Sequence, residues 1–142
     1  MNDTAALLKE CNAGCKTAVN RMEQLQQYVK DPGLNQLLDR YRDRHTQLGE
    51  ACHTLLSDIG MSEKDPQPIP AAMAKMGVAM KMAISPDTPH IADLLEDGCT
   101  MGIKSLARFR NQYPAASEQA KRITGELIDL ECEMARELLA FL

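Results

Sequence analysis

The chain has 142 residues and a formal net charge of −4, with 16 Lys and Arg interspersed among 20 Asp and Glu. This balance predicts that nucleic acid is not a partner, because a nucleic-acid-binding protein needs a basic face to displace counterions from phosphates. No apolar run approaches the roughly 20 residues that span a bilayer, and the first residues lack the basic and apolar regions of a signal peptide, so we expect a cytoplasmic protein that does not enter a membrane.

The first predicted element is a helix that begins at Asn2, Asp3 or Thr4, each a competent N-cap, and ends near Val29. Its apolar residues recur at alternating intervals of three and four, which is typical of a helix seam that packs on other helices. The Lys-Asp-Pro-Gly segment at 30–33 ends the helix, since Pro cannot continue it, and so short a turn predicts an antiparallel second helix. The seam consists of Leu8, Cys11, Cys15, Ala18, Met22, Leu25 and Val29.

The second predicted helix runs from Leu34 to about Ile59 and closes at Gly60 in the C′ position. The connection at 61–89 is far longer than adjacent antiparallel helices need. We therefore predict a crossover along the bundle, which carries a short amphipathic helix at 71–84 with a methionine stripe. The seam of the second helix consists of Leu34, Leu38, Tyr41, His45, Leu48, Cys52 and Leu55, and the stripe consists of Met73, Met76 and Met80.

The third predicted helix has Thr88 as its N-cap and Pro89 at N1, and it runs to about Tyr113. The fourth restarts at Ser117 and continues to the C-terminus. The last turn is apolar, which predicts its burial in the bundle or against a second subunit, so a homodimer is one expected assembly. The apolar residues of this turn are Leu138, Leu139, Phe141 and Leu142.

The two halves of the chain repeat one plan. Adding 84 to the first seam gives a second ladder and repeats the Gly-Cys dipeptide, Gly14-Cys15 against Gly98-Cys99. A shift of 86 relates the second and fourth helices, so that His45 corresponds to Glu131. Few aromatic residues and abundant Leu, Ala and Met also suit helix packing. We predict one all-α domain over 1–142, with hairpins at 4–60 and 90–142 joined by the crossover at 61–89.

Three features carry a resemblance to a known family: the segment 34–41 (Leu-Asn-Gln-Leu-Leu-Asp-Arg-Tyr), the Gly-centred segments 13–15 and 96–99, and the crossover helix. With these, the chain resembles the ferritin-like superfamily, and within it an uncharacterised bacterial branch known as a domain of unknown function. The resemblance implies a ferritin-like four-helix bundle of two antiparallel hairpins. In that branch Glu tends to follow the two glycines, whereas this chain has Cys15 and Cys99.

Conventional di-iron chemistry is not expected. Di-iron members of the superfamily use a Glu from each of two helices and a Glu-x-x-His from each of the other two. The sequence contains one such motif, Glu50 with His53. Relative to the seam, Glu50 points roughly the opposite way and His53 lies on the flank. The sequence therefore predicts that this protein is not a conventional ferroxidase.

Six chemically unusual residues occupy the predicted seams. His45, Cys99 and Glu131 fall near the middle of the bundle, and two interpretations remain open. His45 and Glu131 can form a hydrogen-bonded core pair among cysteines that are buried as small hydrophobes. Alternatively, Cys15, His45, Cys99 and Glu131 hold Zn(II) or Cu(I), or thiols do redox chemistry. The predicted redox thiols are Cys11 and Cys52, which fall at the same level of the bundle. Cys15 lies one helical turn from Cys11.

The sequence contains no Gly-x-Ser-x-Gly elbow and no phosphate-binding glycine loop. In a reducing cytosol its five cysteines are expected to be free thiols. We therefore expect a non-enzymatic structural or interaction protein with an unidentified protein partner. The alternative is a soft-metal or thiol-redox protein that uses the core Cys, His and Glu.

Overall fold

The computed structural model describes residues 2–61 and 87–142. Within these ranges it contains four α-helices, a C-terminal 3-10 turn and no strand, so the prediction of an all-α chain is confirmed for them. The predicted crossover helix at 71–84 and its methionine stripe lie outside the described residues. The elements are α1 (Asp3–Gln26), α2 (Pro32–Asp58), α3 (Thr88–Gln112), α4 (Glu118–Leu138) and the 3-10 turn Leu139–Phe141.

A side-chain cap begins each helix, because the first backbone N–H groups of a helix have no partner within it. The prediction that Thr88 caps α3 is wrong by one residue. The Asp87 carboxylate accepts a hydrogen bond from the His90 N–H at 2.9 Å, so α3 begins at Thr88 and Pro89 is its second residue. The other caps are Asn2 for α1, Asp31 for α2 and Ser117 for α4.

Helix α1 ends three residues before the predicted Val29. The backbone N–H groups of Tyr28 and Val29 donate to carbonyls three residues back, which forms turns instead of a continued helix. The neighbouring Asp31 carboxylate accepts from the Leu34 N–H at 3.0 Å and so starts α2 at once. The short turn between the two helices is therefore as predicted.

Gly60 closes α2 in the left-handed conformation that was expected of it. Its φ is +74°, and the N–H of Met61 reaches back to the carbonyl of Leu56 at 2.8 Å. Only glycine adopts this conformation without a steric cost from Cβ.

Contacts between the helix ends fix the directions of the helices. The N–H of Ala115, in the α3–α4 turn, donates to the Asp3 carboxylate at 2.9 Å, so α1 begins beside this turn. At the other end, ring carbons of Phe141 lie 3.4 Å from the position of a Cβ on Gly33, so the chain terminates beside the α1–α2 turn. Helix α4 thus runs parallel to α1 and antiparallel to α2, and α2 ends at the opposite end of the bundle from the start of α3.

The core follows the predicted seams, whose residues are buried or half-buried. The terminal turn differs from its prediction. Leu138 is fully buried, but Leu139 and Leu142 are 59% and 55% exposed, so burial of the whole turn within the bundle is wrong. Its burial against a second subunit stays a prediction. Among the described residues, no helix is both long enough and apolar enough to cross a bilayer.

Candidate functional site

A buried histidine and a buried glutamate meet at the middle of the bundle. His45 of α2 is 1% exposed and Glu131 of α4 is 7% exposed. The Nε2 atom of His45 contacts Oε1 of Glu131, and its Nδ1 atom lies 2.7 Å from the carbonyl oxygen of Tyr41. A carbonyl oxygen only accepts hydrogen bonds, so Nδ1 carries a hydrogen. One further proton must then lie between Nε2 and the carboxylate, and the pair satisfies both side chains in the core.

Next to this pair, a network of hydrogen bonds and ion pairs centred on Tyr41 extends along the α2–α4 face. The Tyr41 hydroxyl donates to the carboxylates of Glu137 and Glu133, which pair in turn with Arg40 and Arg44. Both guanidinium groups lie 5.4 Å from the centre of the Tyr41 ring. Burial and the hydrogen bond to Glu137 raise the pKa of Tyr41, while the hydrogen bond from Arg44 lowers the pKa of Glu133. This face of the bundle is therefore closed by a polar network.

Two thiols flank the pair. Burial and then the charge of Glu131 raise the pKa of Cys99, which also hydrogen-bonds that carboxylate. Burial, with Cys11 and Glu131 nearby, raises the pKa of Cys15 to about 12. Both are therefore protonated at neutral pH, whereas a metal ligand must be a thiolate.

The predicted metal set consists of Cys15, His45, Cys99 and Glu131. The structure brings these residues to the same region. Within residues 2–61 and 87–142, however, no group of three or more His, Cys, Asp or Glu side chains is arranged to hold a metal ion. His45 is already bonded at both ring nitrogens. The Zn(II) or Cu(I) site stays a prediction.

The predicted redox thiols form a second buried chain of hydrogen bonds. The Thr124 hydroxyl donates to the Ala120 carbonyl at 2.8 Å, so its oxygen accepts from the Cys11 thiol, whose sulfur lies 3.2 Å away. Cys52 in turn hydrogen-bonds Cys11, which raises the pKa of Cys52 and lowers that of Cys11. All five cysteines are free thiols. Cys11 and Cys52 thus lie at the same level of the bundle and in contact, as expected, whereas their redox role stays a prediction.

A cleft of about 390 Å³ opens between α1 and α3 and reaches the buried pair. His45, Glu131, Cys15 and Cys99 form its polar base. Arg21, Ser105 and the exposed Met101 lie among the residues nearer the surface. The apolar walls are Met22, Leu95, Leu106, Phe109, Leu127 and Met134.

Small residues from the repeated motif keep this cleft open. Gly14 and Ala18 of α1 and Gly98 and Gly102 of α3 line it. A Cβ on Gly14 would meet no atom within 4 Å, whereas one on Gly102 would lie 3.3 Å from a carboxylate oxygen of Glu131. The internal repeat therefore has a structural consequence, which is a gap on the α1–α3 face.

A second cavity, of about 500 Å³, lies between α1 and α2. Cys15 and His45 line both this cavity and the cleft, so open space reaches them from both sides of α1. Glu50 and His53, the single Glu-x-x-His motif, line its outer part and are exposed. They do not join Glu131 in the core.

Several site residues escaped the sequence reasoning. Asn12 is 2% exposed, but it lies beside the seam position Cys11 and not in the ladder. Thr124 is in the seam of α4, where a threonine gives no sign of a hydrogen-bonded thiol. Arg21 carries no periodicity signal, because a charged residue at a helix surface is ordinarily solvated.

Comparison of the chain with protein-family models, curated proteins and solved structures finds no match.

Proposed function

We propose that this protein is a non-enzymatic helical bundle of the ferritin-like plan whose α1–α3 cleft binds a small, mainly apolar molecule. The observation that carries the proposal is the cleft itself, about 390 Å³ in volume, with apolar walls and a buried polar base. Ligand sites in proteins are concave, of roughly 300–1,000 Å³, and combine apolar walls with a few convergent polar groups. The cleft has both properties.

The ferritin-like plan is supported by the directions of the helices. Helices α1 and α2 form one antiparallel pair, α3 and α4 another, and α2 ends at the opposite end of the bundle from the start of α3. The predicted crossover at 61–89 belongs to the same proposal. Fold does not decide function, so the role in binding rests on the cleft alone.

The non-enzymatic part of the proposal rests on the state of the histidine. A general base must offer a free nitrogen within reach of a substrate proton. Both ring nitrogens of His45 are already engaged, by Tyr41 and by Glu131. The thiols of Cys15 and Cys99 are protonated, because burial raises the pKa of each. The base of the cleft thus recognises a ligand better than it activates one.

A neutral fluorescent probe tests this role directly. N-phenylnaphthylamine should bind the protein saturably with one site, and Ala18→Phe, which fills the cleft, should abolish the fluorescence increase. Ala107→Phe is the matched control, since Ala107 is also half-buried but lines neither cavity. Equal binding by both variants, or no saturable binding by the wild type, would show that the cleft is not a ligand site.

A thiol-redox role is the second candidate, because Cys11 and Cys52 are in contact. Hydrogen peroxide would oxidise the two thiols to a disulfide and leave as two molecules of water. Mass spectrometry after peroxide treatment should then find a cross-link between these cysteines, together with the loss of two hydrogens. A Cys52→Ser variant should instead stop at the sulfenic acid of Cys11. Unchanged thiols in the folded protein would exclude this role.

A further inference from the structure

We propose that the ligand of the α1–α3 cleft has an apolar body and a carboxylate end, and that Arg21 binds the carboxylate at the rim. This inference rests on the proposed binding role of the cleft. It concerns the polarity of the ligand, which the apolar walls by themselves leave undetermined.

Arg21 reaches from α1 across the cleft to α3. Its Cδ atom lies 3.2 Å, and its Nε atom 3.7 Å, from the position of a Cβ on Gly98. The stem of the arginine therefore lies against α3, and a Cβ at residue 98 would crowd it. The guanidinium is thereby held at the rim of the cleft and not extended away from α1.

The charge of Arg21 is also uncompensated. Among residues 2–61 and 87–142, Arg21 makes no hydrogen bond and no ion pair, although it lines the cleft. By contrast, Arg40 and Arg44 on the α2–α4 face are each paired with a glutamate. A planar guanidinium offers two parallel N–H donors that match a carboxylate.

The remaining charges of the cleft give the ligand a direction. The carboxylate of Glu131 faces His45 at the buried base of the cleft, at the end remote from solvent. An anionic group is therefore attracted to the Arg21 end of the cleft and disfavoured beside the buried carboxylate of Glu131, and the apolar walls between these two residues fit an unbranched or aromatic body.

The test compares three ligands that differ only in their end group. Decanoate, decanol and decylamine, each below its aggregation concentration, are titrated at pH 7.4 against bound N-phenylnaphthylamine. Decanoate should displace the probe at about 2- to 5-fold lower concentration than decanol, which is the range for an exposed ion pair, and decylamine should be the weakest. The preference should shrink as salt is added, because exposed charges are screened.

Arg21→Met supplies the decisive variant, since methionine keeps much of the apolar stem and removes the charge. It should abolish the preference for decanoate and leave decanol unchanged, whereas Arg21→Lys should retain part of it. Arg108→Met, on the exposed surface of α3 outside both cavities, is the matched control and should change nothing.

The outcomes separate this inference from the proposal on which it rests. If decanol displaces the probe as well as decanoate does, or if the preference survives in Arg21→Met, the role of Arg21 is overturned and the cleft remains a ligand site. If none of the three compounds displaces the probe, both the inference and the binding role are overturned.

Discussion

The contact between His45 and Glu131 should make the two side chains strongly interdependent in stability. His45→Leu and Glu131→Leu each leave a buried polar partner unmatched, and we expect each to lower the free energy of unfolding by about 3–5 kcal/mol. The double variant removes both polar groups and substitutes apolar side chains of similar size. Its cost should therefore fall below the sum of the single costs by about 2–3 kcal/mol.

Urea unfolding followed by far-ultraviolet circular dichroism measures this coupling in a chain without Trp. Glu131→Gln is the conservative control. Its amide N–H donates to Nε2 of His45 while Nδ1 continues to donate to Tyr41, so it should cost much less than Glu131→Leu. It also keeps the measurement possible if a leucine variant does not fold. Additive single costs, within about 0.5 kcal/mol, would refute the idea that the two groups satisfy one another.

Three further predictions concern the cleft and the thiols. Gly14→Ala should raise the free energy of unfolding by about 0.5–1 kcal/mol. Gly102→Ala should raise it by less, because the added Cβ would crowd Glu131. Equal increases for the two variants in urea unfolding would contradict this reasoning. In the folded protein a chromogenic disulfide reagent should modify the exposed Cys132 at once and Cys15 and Cys99 much more slowly, because burial raises the pKa of both thiols. Rapid modification of either of these two cysteines would count against this reasoning. The pKa of Cys15 is raised from about 9 to about 12, so its thiol ionises first in the unfolded chain and its contribution to stability falls between those pH values by up to about 1.4 kcal/mol per pH unit. Over that range wild type should lose more stability than Cys15→Ala, and parallel urea midpoints would exclude the effect.

The sequence predicted the seams well because apolar periodicity is a local signal that packing reinforces. His45, Cys99 and Glu131 fall where the ladder puts them, and Cys11 meets Cys52. Helix ends were less predictable. Thr88 and Asp87 are both competent N-caps, and the choice depends on which side chain reaches a free N–H in three dimensions.

The cleft itself was not predictable from periodicity. A glycine or alanine in a seam, such as Gly102 or Ala18, reads as a close approach of two helices. The same residues leave a gap where no facing side chain fills the space, as at Gly14, where a Cβ would meet no atom within 4 Å. The place of Arg21 at the rim of the cleft was hidden for a similar reason, because its position over Gly98 depends on how α1 and α3 face one another and not on either helix alone.

The two long faces of the bundle differ, and this difference explains why the cleft reaches the His45–Glu131 pair from the side of α1. On the α2–α4 face, Tyr41 and its arginine–glutamate pairs cover the pair from outside. On the α1–α3 face the repeated Gly-Cys dipeptides supply side chains too small to meet. The two faces are therefore unlike. Long polar side chains join α2 to α4, whereas Gly14 and Gly98 line the gap between α1 and α3. A ligand that enters between α1 and α3 would reach His45 and Glu131 without breaking the contacts that join α2 to α4, so binding and the cohesion of the bundle can be altered independently by mutation.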